Sequence, residues 1–409
     1  MMRLETLQTM TFNAELAQQI AFEDIPRDEA RYFEGRVKEI EQFKFSLNAS
    51  TRRVQAVFRI YQGAPGCGKT SLAAHLAKIT PDAVFIKLSR RHLTDFPSMM
   101  ERIRNAASRQ EGRQALAATH WAAASIEQLA GRALTQELQK AVQEHLTEGL
   151  RFVLHIDEAH SLPNNALNVL TELHVGGLGE SDQIPCVVVL TGLGHAKEHI
   201  NRHPGLTRSG DSTTINMTAM THQECVDSTM RMLAELEPDE GSVAVGQSLA
   251  NLAAEAAFVW PRHLQSAQKA ICEALLEADG NALALDHNII KARCAELRAE
   301  HYEERMKDVD APGGDGELAK QIIAQLPKQA VRASDWQLDE FCEQEVRKFW
   351  PSDKPIPDIE KTRESLKENG VVERRDGVWA LSIPSMANWA AQQLQGTVPV
   401  QPQNIEGLH

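Results

Sequence analysis

The sequence predicts an α/β fold: a mostly parallel sheet carrying a phosphate-binding loop (P-loop), then a helical lid, then a C-terminal winged helix. Three observations predict it. Apolar, β-branched runs alternate with helical stretches through the first half of the chain, the pattern of a parallel sheet with crossover helices. The octapeptide Gly63-Ala64-Pro65-Gly66-Cys67-Gly68-Lys69-Thr70 lies between a strand-like and a helix-like run. From Thr221 to about Glu304 the pattern is helical, and further on a short helix precedes two strands around Asp376-Gly377.

Five strands are expected, at Val54–Tyr61, Ala83–Leu88, Leu150–Asp157, Pro185–Thr191 and Thr213–Met217. Between the second and third, Phe96 to Leu146 reads as two or three helices, one opening on a capping box at Ser125-Ile126-Glu127-Gln128. The run Asp308 to Gly316, rich in Asp, Gly and Pro, reads as a linker. The expected domains are an N-terminal segment (1–30), a nucleotide-binding domain (31–219), a helical lid (220–305), the linker (306–316), a winged-helix-like domain (317–390) and a tail (391–409).

Composition narrows the class. A chain of 409 residues with 42% hydrophobic and 24% charged residues is a globular protein too long for one core. No apolar run approaches the ~20 residues of a membrane helix, and Met1-Met2-Arg3-Leu4-Glu5-Thr6 lacks the layout of a secretory signal. The six cysteines form no C-x-x-C or Cys/His cluster. One of them stands inside the octapeptide, which suits a reducing cytoplasm. A net charge of −13 argues against a surface that coats nucleic acid.

The octapeptide matches G-x-x-x-x-G-K-S/T in full. Its residue types fit phosphate chemistry. Gly63, Pro65, Gly66, Cys67 and Gly68 shape a loop whose backbone N–H groups converge on phosphate, and the helix starting near Ser71 adds its positive end. Lys69 reaches the β/γ oxygens, and the Thr70 hydroxyl takes a place on Mg²⁺. The next chemical block is Phe152-Val153-Leu154-His155-Ile156-Asp157-Glu158, a buried strand delivering two carboxylates at its C-terminal end. Asp157 is expected on the Mg²⁺ side and Glu158 as the base that orients water for hydrolysis. Asp157-Glu158-Ala159-His160 also spells the box of a helicase group. Those helicases need Ser-Ala-Thr on the next strand, which here ends Leu190-Thr191-Gly192.

Three further positions complete the set. Thr191 closes its strand between the two nucleotide motifs, where its hydroxyl can meet the γ-phosphate or the lytic water, or cap the next helix. Pro261-Arg262 opens a late helix, with Pro suited to the first turn and Arg262 directed back toward nucleotide. Arg202 and Arg208 precede the last strand, either as surface charges or as an arginine finger for a neighbouring subunit.

Taken together these residues resemble the AAA+ ATPase family. The phosphate loop, the Asp157-Glu158 pair, the polar Thr191 and Pro261-Arg262 follow the family's order of Walker A, Walker B, sensor 1 and sensor 2. Phe33-Glu34-Gly35-Arg36-Val37-Lys38-Glu39-Ile40 is similar to the segment ahead of the core in the origin-recognition and initiator branch. The core is also similar to bacterial ATPases that accompany transposition (TnsC- and MuB-like). The resemblance implies ATP as the nucleotide, a five-stranded sheet, and ring or filament assembly with ATP between subunits. It also implies a finger supplied in trans, with Arg208 favoured over Arg202.

The implied activity is an ATP-hydrolysing, self-assembling switch in a DNA transaction such as initiation, transposition, or mobile-element or defence work. The alternative is an ATP-dependent signalling scaffold docking a protein effector through its winged helix. Residues 317–376 hold 11 basic and 13 acidic side chains, −2 net, where a DNA-reading wing is usually basic. Lys361, Arg363 and Lys367 with Arg374 and Arg375 are the expected local patch for duplex DNA.

Overall fold

The computed structural model describes residues 12–22, 30–50, 56–80, 83–88, 151–176, 186–206, 214–237, 243–310, 316–326, 340, 343–344, 358–375 and 378–395. The helical stretch expected between Phe96 and Leu146, with its capping box, lies outside these residues. So do Arg208 and the Asp376-Gly377 turn.

Five parallel strands form one sheet: β1 (Val57–Gln62), β2 (Ala83–Leu88), β3 (Arg151–Ile156), β4 (Cys186–Gly192) and β5 (Thr214–Asn216). Their order is β2-β3-β4-β1-β5. All five expected strands are present; the inner ones read as near-continuous apolar runs because they are covered on both faces, while β5 at the edge is half-exposed. Val187, Val188, Val189 and Leu190 of β4 are fully buried, as is Ile60 of β1. The register aligns the functional ends. Tyr61 pairs with Thr191 and Gln62 with Gly192, while Ile156 pairs with Leu190, so the residue after Ile156 stands level with Thr191.

Two compact units result. One takes Ile25–Gly63 and Cys67–Met220; the other takes Met1–Asp24, Ala64–Gly66 and Thr221–His409. The sheet unit adds α2 (Val37–Ser50), α3 (Lys69–Ile79), α4 (Asn164–Gly176) and α5 (Ala196–Asn201) to the strands. Helix α2 buries Phe43 and Leu47, and its Ser46 hydroxyl accepts from the Arg59 guanidinium of β1.

The second unit is helical. Helix α1 (Ala14–Phe22) packs on α8 (Pro261–Glu277) through Leu16, Ala17 and Ala21, with α6 (His222–Leu236) and α7 (Val243–Ala257) alongside. The expected N-terminal segment thus contains a helix docked on the helical bundle. The Asn13 N–H donates to the Leu236 carbonyl at 2.9 Å. Helix α6 starts on a reciprocal capping box, the Thr221 hydroxyl accepting from the Glu224 N–H and the Glu224 carboxylate from the Thr221 N–H. Helix α9 (His287–Asp310) continues through Asp310, into the stretch expected to be linker, and α10 begins at Gly316 (Gly316–Gln325).

Beyond it come α11 (Ile359–Glu368), an antiparallel hairpin of β6 (Val372–Arg375) and β7 (Val378–Leu381), and α12 (Met386–Gln395). Asp358 caps α11, its carboxylate accepting from the Lys361 N–H at 2.9 Å. These elements are tied to α9: the Ser365 hydroxyl donates to the Val309 carbonyl, and Tyr302 and Ser385 share a hydrogen bond of 2.7 Å. One member of the expected basic patch is removed by this packing. Arg363 lies on the buried face of α11 with Thr362, Ser365 and Leu366, only 7% exposed. Among the described residues no helix is long and apolar enough to cross a membrane.

Candidate nucleotide site

The loop after β1 turns back on itself because two of its glycines adopt left-handed backbone, Gly66 at φ 74° and Gly68 at φ 90°. The loop is tied down on the sheet side. The Gly63 N–H donates to the Gly192 carbonyl at 3.2 Å, and a Cβ on Gly63 would stand 2.6 Å from the Met217 carbonyl oxygen. Helix α3 then starts at Lys69, with Gly68 as its cap and no side-chain cap at this end. Ser71 sits in this first turn. The Lys69 ammonium donates to the Gly63 carbonyl at 2.9 Å, folded over the loop, and lies 3.6 Å from the buried Cys67 sulfur.

Sequence reasoning gave Arg36 no role of its own, yet it clamps this loop. Its guanidinium donates to the Cys67 carbonyl at 2.9 Å and to the Thr218 carbonyl at 2.6 Å. Arg36 is 7% exposed and has φ 58°. Next to it, the Phe33 ring stacks on His75 of α3 at 4.3 Å.

The acid pair comes off the end of β3. The Asp157 carboxylate accepts at Oδ1 from the Thr191 hydroxyl at 2.6 Å and from the Glu158 N–H at 3.0 Å. Its Oδ2 stands 3.5 Å from the Thr70 hydroxyl. Burial pushes the Asp157 pKa up, but His155, the two donated hydrogen bonds and Lys87 outweigh it and hold the carboxyl below the ordinary aspartate range. Glu158 is exposed and sits in left-handed backbone at φ 55°, a strained conformation for a residue with a side chain. Among the described residues its carboxylate has no hydrogen-bond partner.

Two histidines that the motif search passed over face this centre. His155 is fully buried, and its Nε2 lies 2.9 Å from the Thr191 hydroxyl. Burial, with Lys87 adding to it, lowers its pKa to about 4, so it is neutral near pH 7. His160 accepts at Nδ1 from the Leu193 N–H at 3.3 Å, and burial with the nearby His195 and Lys69 lowers it to about 4. The available signal was a histidine two places before the acid pair, on the same strand face.

The helical unit takes in loop residues Ala64 to Gly66. The buried Trp260 indole donates to the Pro65 carbonyl at 3.2 Å, and the Arg262 N–H donates to the Gly66 carbonyl at 3.0 Å. Pro261 occupies the first position of α8, as expected. The turn before it is strained. Phe258 and Val259 are consecutive left-handed residues at φ 50° and 51°, braced by the Arg298 guanidinium 4.9 Å over the Phe258 ring. The Arg262 side chain is exposed, near Gln265. Arg202 is also exposed, paired with Glu198 at 2.7 Å. The structure therefore assembles the loop, Lys69, Thr70, Asp157, Glu158 and Thr191 in one place.

Residues 54–199 match the family model of the AAA domain. Two solved structures share the fold. A Walker-type ATPase of Pyrococcus abyssi superposes with a TM-score of 0.62 at 13% identity, covering 91% of this chain and 99% of that one. The ORC2 protein of Aeropyrum pernix in its ADP form gives 0.58 at 14%, covering 93% and 99%. No curated protein matches the sequence. At these identities the likeness is one of fold, and it extends beyond the AAA domain to nearly the whole chain.

Among the described residues no cluster of three or more His, Cys, Asp or Glu side chains could hold a metal alone. One hydroxyl and one carboxylate 3.5 Å apart beside an anion-binding loop instead fit Mg²⁺, which keeps phosphate and water among its ligands.

Proposed function

We propose that this protein is an AAA+ ATPase that binds and hydrolyses ATP and uses the cycle to drive self-assembly and conformational switching in a DNA transaction. The observation that carries it is the convergence of Thr70 and Asp157 at the mouth of the loop, with the exposed Glu158 next in the chain. ATPase activity is a trait of the AAA family, and the supporting geometry is that of the site just described.

Each residue has a role. The loop N–H groups from Gly63 to Ser71 and the Lys69 ammonium bind and orient the phosphates. Thr70 and Asp157 would hold Mg²⁺, which would supply charge neutralisation when bound. Glu158 accepts the proton of the attacking water; among the described residues its exposed carboxylate has no hydrogen bond to give up first. Arg262 senses the γ-phosphate from α8, and Arg208 of a neighbouring copy supplies the finger. Loss of the γ-phosphate releases the Arg262 and Arg208 contacts and so resets the assembly.

The second reading, a scaffold that docks a protein effector through a winged helix formed by α11 and the β6–β7 hairpin, has its own support. The exposed or half-exposed charges of α11 are Glu360, Lys361, Glu364, Lys367 and Glu368, three acids against two bases, and Arg363 is buried. Such a helix has little attraction for phosphate backbone. ATP turnover of wild type and Glu158→Gln, with and without duplex DNA at moderate salt, separates the readings. DNA-stimulated turnover that disappears in the variant supports the first; turnover indifferent to DNA supports the scaffold. No turnover in the wild type under either condition refutes both.

A further inference from the structure

His155, Thr191 and Asp157 form a chain of three polar groups along the C-terminal ends of β3 and β4. Strand alternation puts His155 and Asp157 on one face of β3. His155 pairs across the ladder with Val189, so Thr191 is its diagonal neighbour on β4, within reach of a ring. The contacts are 2.9 Å from His155 Nε2 to the Thr191 hydroxyl and 2.6 Å from that hydroxyl to Asp157 Oδ1.

Counting protons fixes the direction of the chain. A threonine hydroxyl has one proton, and an ionised carboxylate has none to give. The 2.6 Å contact therefore uses the Thr191 proton. The contact to His155 must then be donated by the imidazole, which places a proton on Nε2; in the neutral ring Nδ1 is then a bare acceptor. Nδ1 is buried and has no hydrogen-bond partner among the described residues. A leucine would fill this space without an orphaned nitrogen, so packing does not account for a histidine here.

We propose that His155 is a positioning residue for the cation site: its Nε2–H holds the Thr191 hydroxyl as a donor to Asp157 Oδ1, which turns Oδ2 toward Thr70. Thr191 acts on the metal-side carboxylate in this arrangement, and its proton is not available to phosphate or water. The proposal rests on the reading that Thr70 and Asp157 hold Mg²⁺. Partners of this kind orient ligands and are worth roughly 10- to 100-fold in metal affinity.

Two measurements on the full chain test it. The first needs no nucleotide: nitrogen-15 spectra of histidine-labelled protein near neutral pH, with the His155 signals assigned from their loss in His155→Gln. The expected result is a protonated Nε2, protected from exchange and shifted in Thr191→Val, with a bare Nδ1. The opposite tautomer overturns the chain. The second is a Mg²⁺ titration of fluorescent ATP analogue binding. His155→Phe is expected to raise the Mg²⁺ midpoint roughly 10- to 100-fold, with metal-free nucleotide binding unchanged. His155→Gln, which keeps a donor near Nε2, is expected to stay close to wild type. Equal midpoints in the two variants would reduce His155 to a core filler. Wild-type binding that ignores Mg²⁺ would instead overturn the cation site itself, while the tautomer still decides the chain.

Discussion

Arg262 and Gly66 meet backbone to backbone: the Arg262 N–H donates to the Gly66 carbonyl at 3.0 Å, and a Cβ added to Gly66 would stand 2.7 Å from the Arg262 Cβ. The residue expected to sense nucleotide is thus joined to the loop expected to bind it before any phosphate arrives. The fit requires a glycine twice over, for space and for φ 74°.

Gly66→Ala is accordingly expected to lower stability by about 1–3 kcal/mol, from left-handed strain and the displaced α8 start, and to weaken ATP binding. Gly246→Ala is the contrasting variant. A Cβ there meets Met230 at 3.6 Å and Leu233 at 4.0 Å, both ordinary contacts, and the position is helical. It should be neutral or gain roughly 0.5–1 kcal/mol. Denaturant unfolding of both variants checks the pair, and equal shifts would refute the fit.

Glu158→Gln should bind ATP with near wild-type affinity and hydrolyse it about 100-fold more slowly or worse, and it should accumulate as assemblies on sizing columns with ATP. Normal turnover in this variant would mean that another group activates the water.

Arg36→Ala leaves the Cys67 carbonyl without its donor in a buried setting and takes the same donor from the more exposed Thr218 carbonyl. A cost of about 2–4 kcal/mol is expected, with weakened nucleotide binding because the loop loses its outer clamp. Arg36→Lys should rescue little, since one ammonium on a flexible stem does not reproduce the planar fork. Thermal melting and nucleotide affinity read the outcome; full rescue by lysine would reduce the clamp to a charge.

Acid should loosen the helical unit. His263 is buried against His301 and Tyr302, and burial, with His301, Arg298 and Arg262 nearby, lowers its pKa to about 3; burial and Arg305 lower His301 to about 4. In the unfolded chain both take a proton below about 6.5. Between those values the unfolded state holds more protons, so stability present above pH 6.5 is lost as pH falls. The slope approaches about 1.4 kcal/mol per pH unit for each histidine. Denaturant midpoints at successive pH values check this, and His263→Leu should flatten the dependence; an unchanged slope would rule His263 out as a source.

The strands and the reacting groups were legible because each is written in consecutive residues: Cys186–Leu190 as an unbroken apolar run, the loop and the acid pair as short motifs. What stayed hidden was written across the chain. Arg36 finds its carbonyls 31 and 182 residues away, and Trp260 finds Pro65 at a separation of 195. No local pattern encodes those meetings. Arg363 was misjudged for a different reason. Read by type, it joins a basic patch; placed on α11 it falls with Thr362 and Leu366 on the inward face, where its stem is covered. His155 looked like one more residue in a buried strand, and only its diagonal to Thr191 gives it a partner.

The strand order sets a gauge for the whole site. Since β4 lies between β1 and β3, the phosphate loop and the acid pair issue from strands two ladder steps apart, about 10 Å at the usual inter-strand spacing. Backbone hydrogen bonds along Tyr61, Thr191 and the end of β3 hold that width, and side chains only furnish it. Side-chain substitutions can therefore change the chemistry presented at these two strand ends, whereas the distance between the ends belongs to the sheet itself and no single side chain sets it.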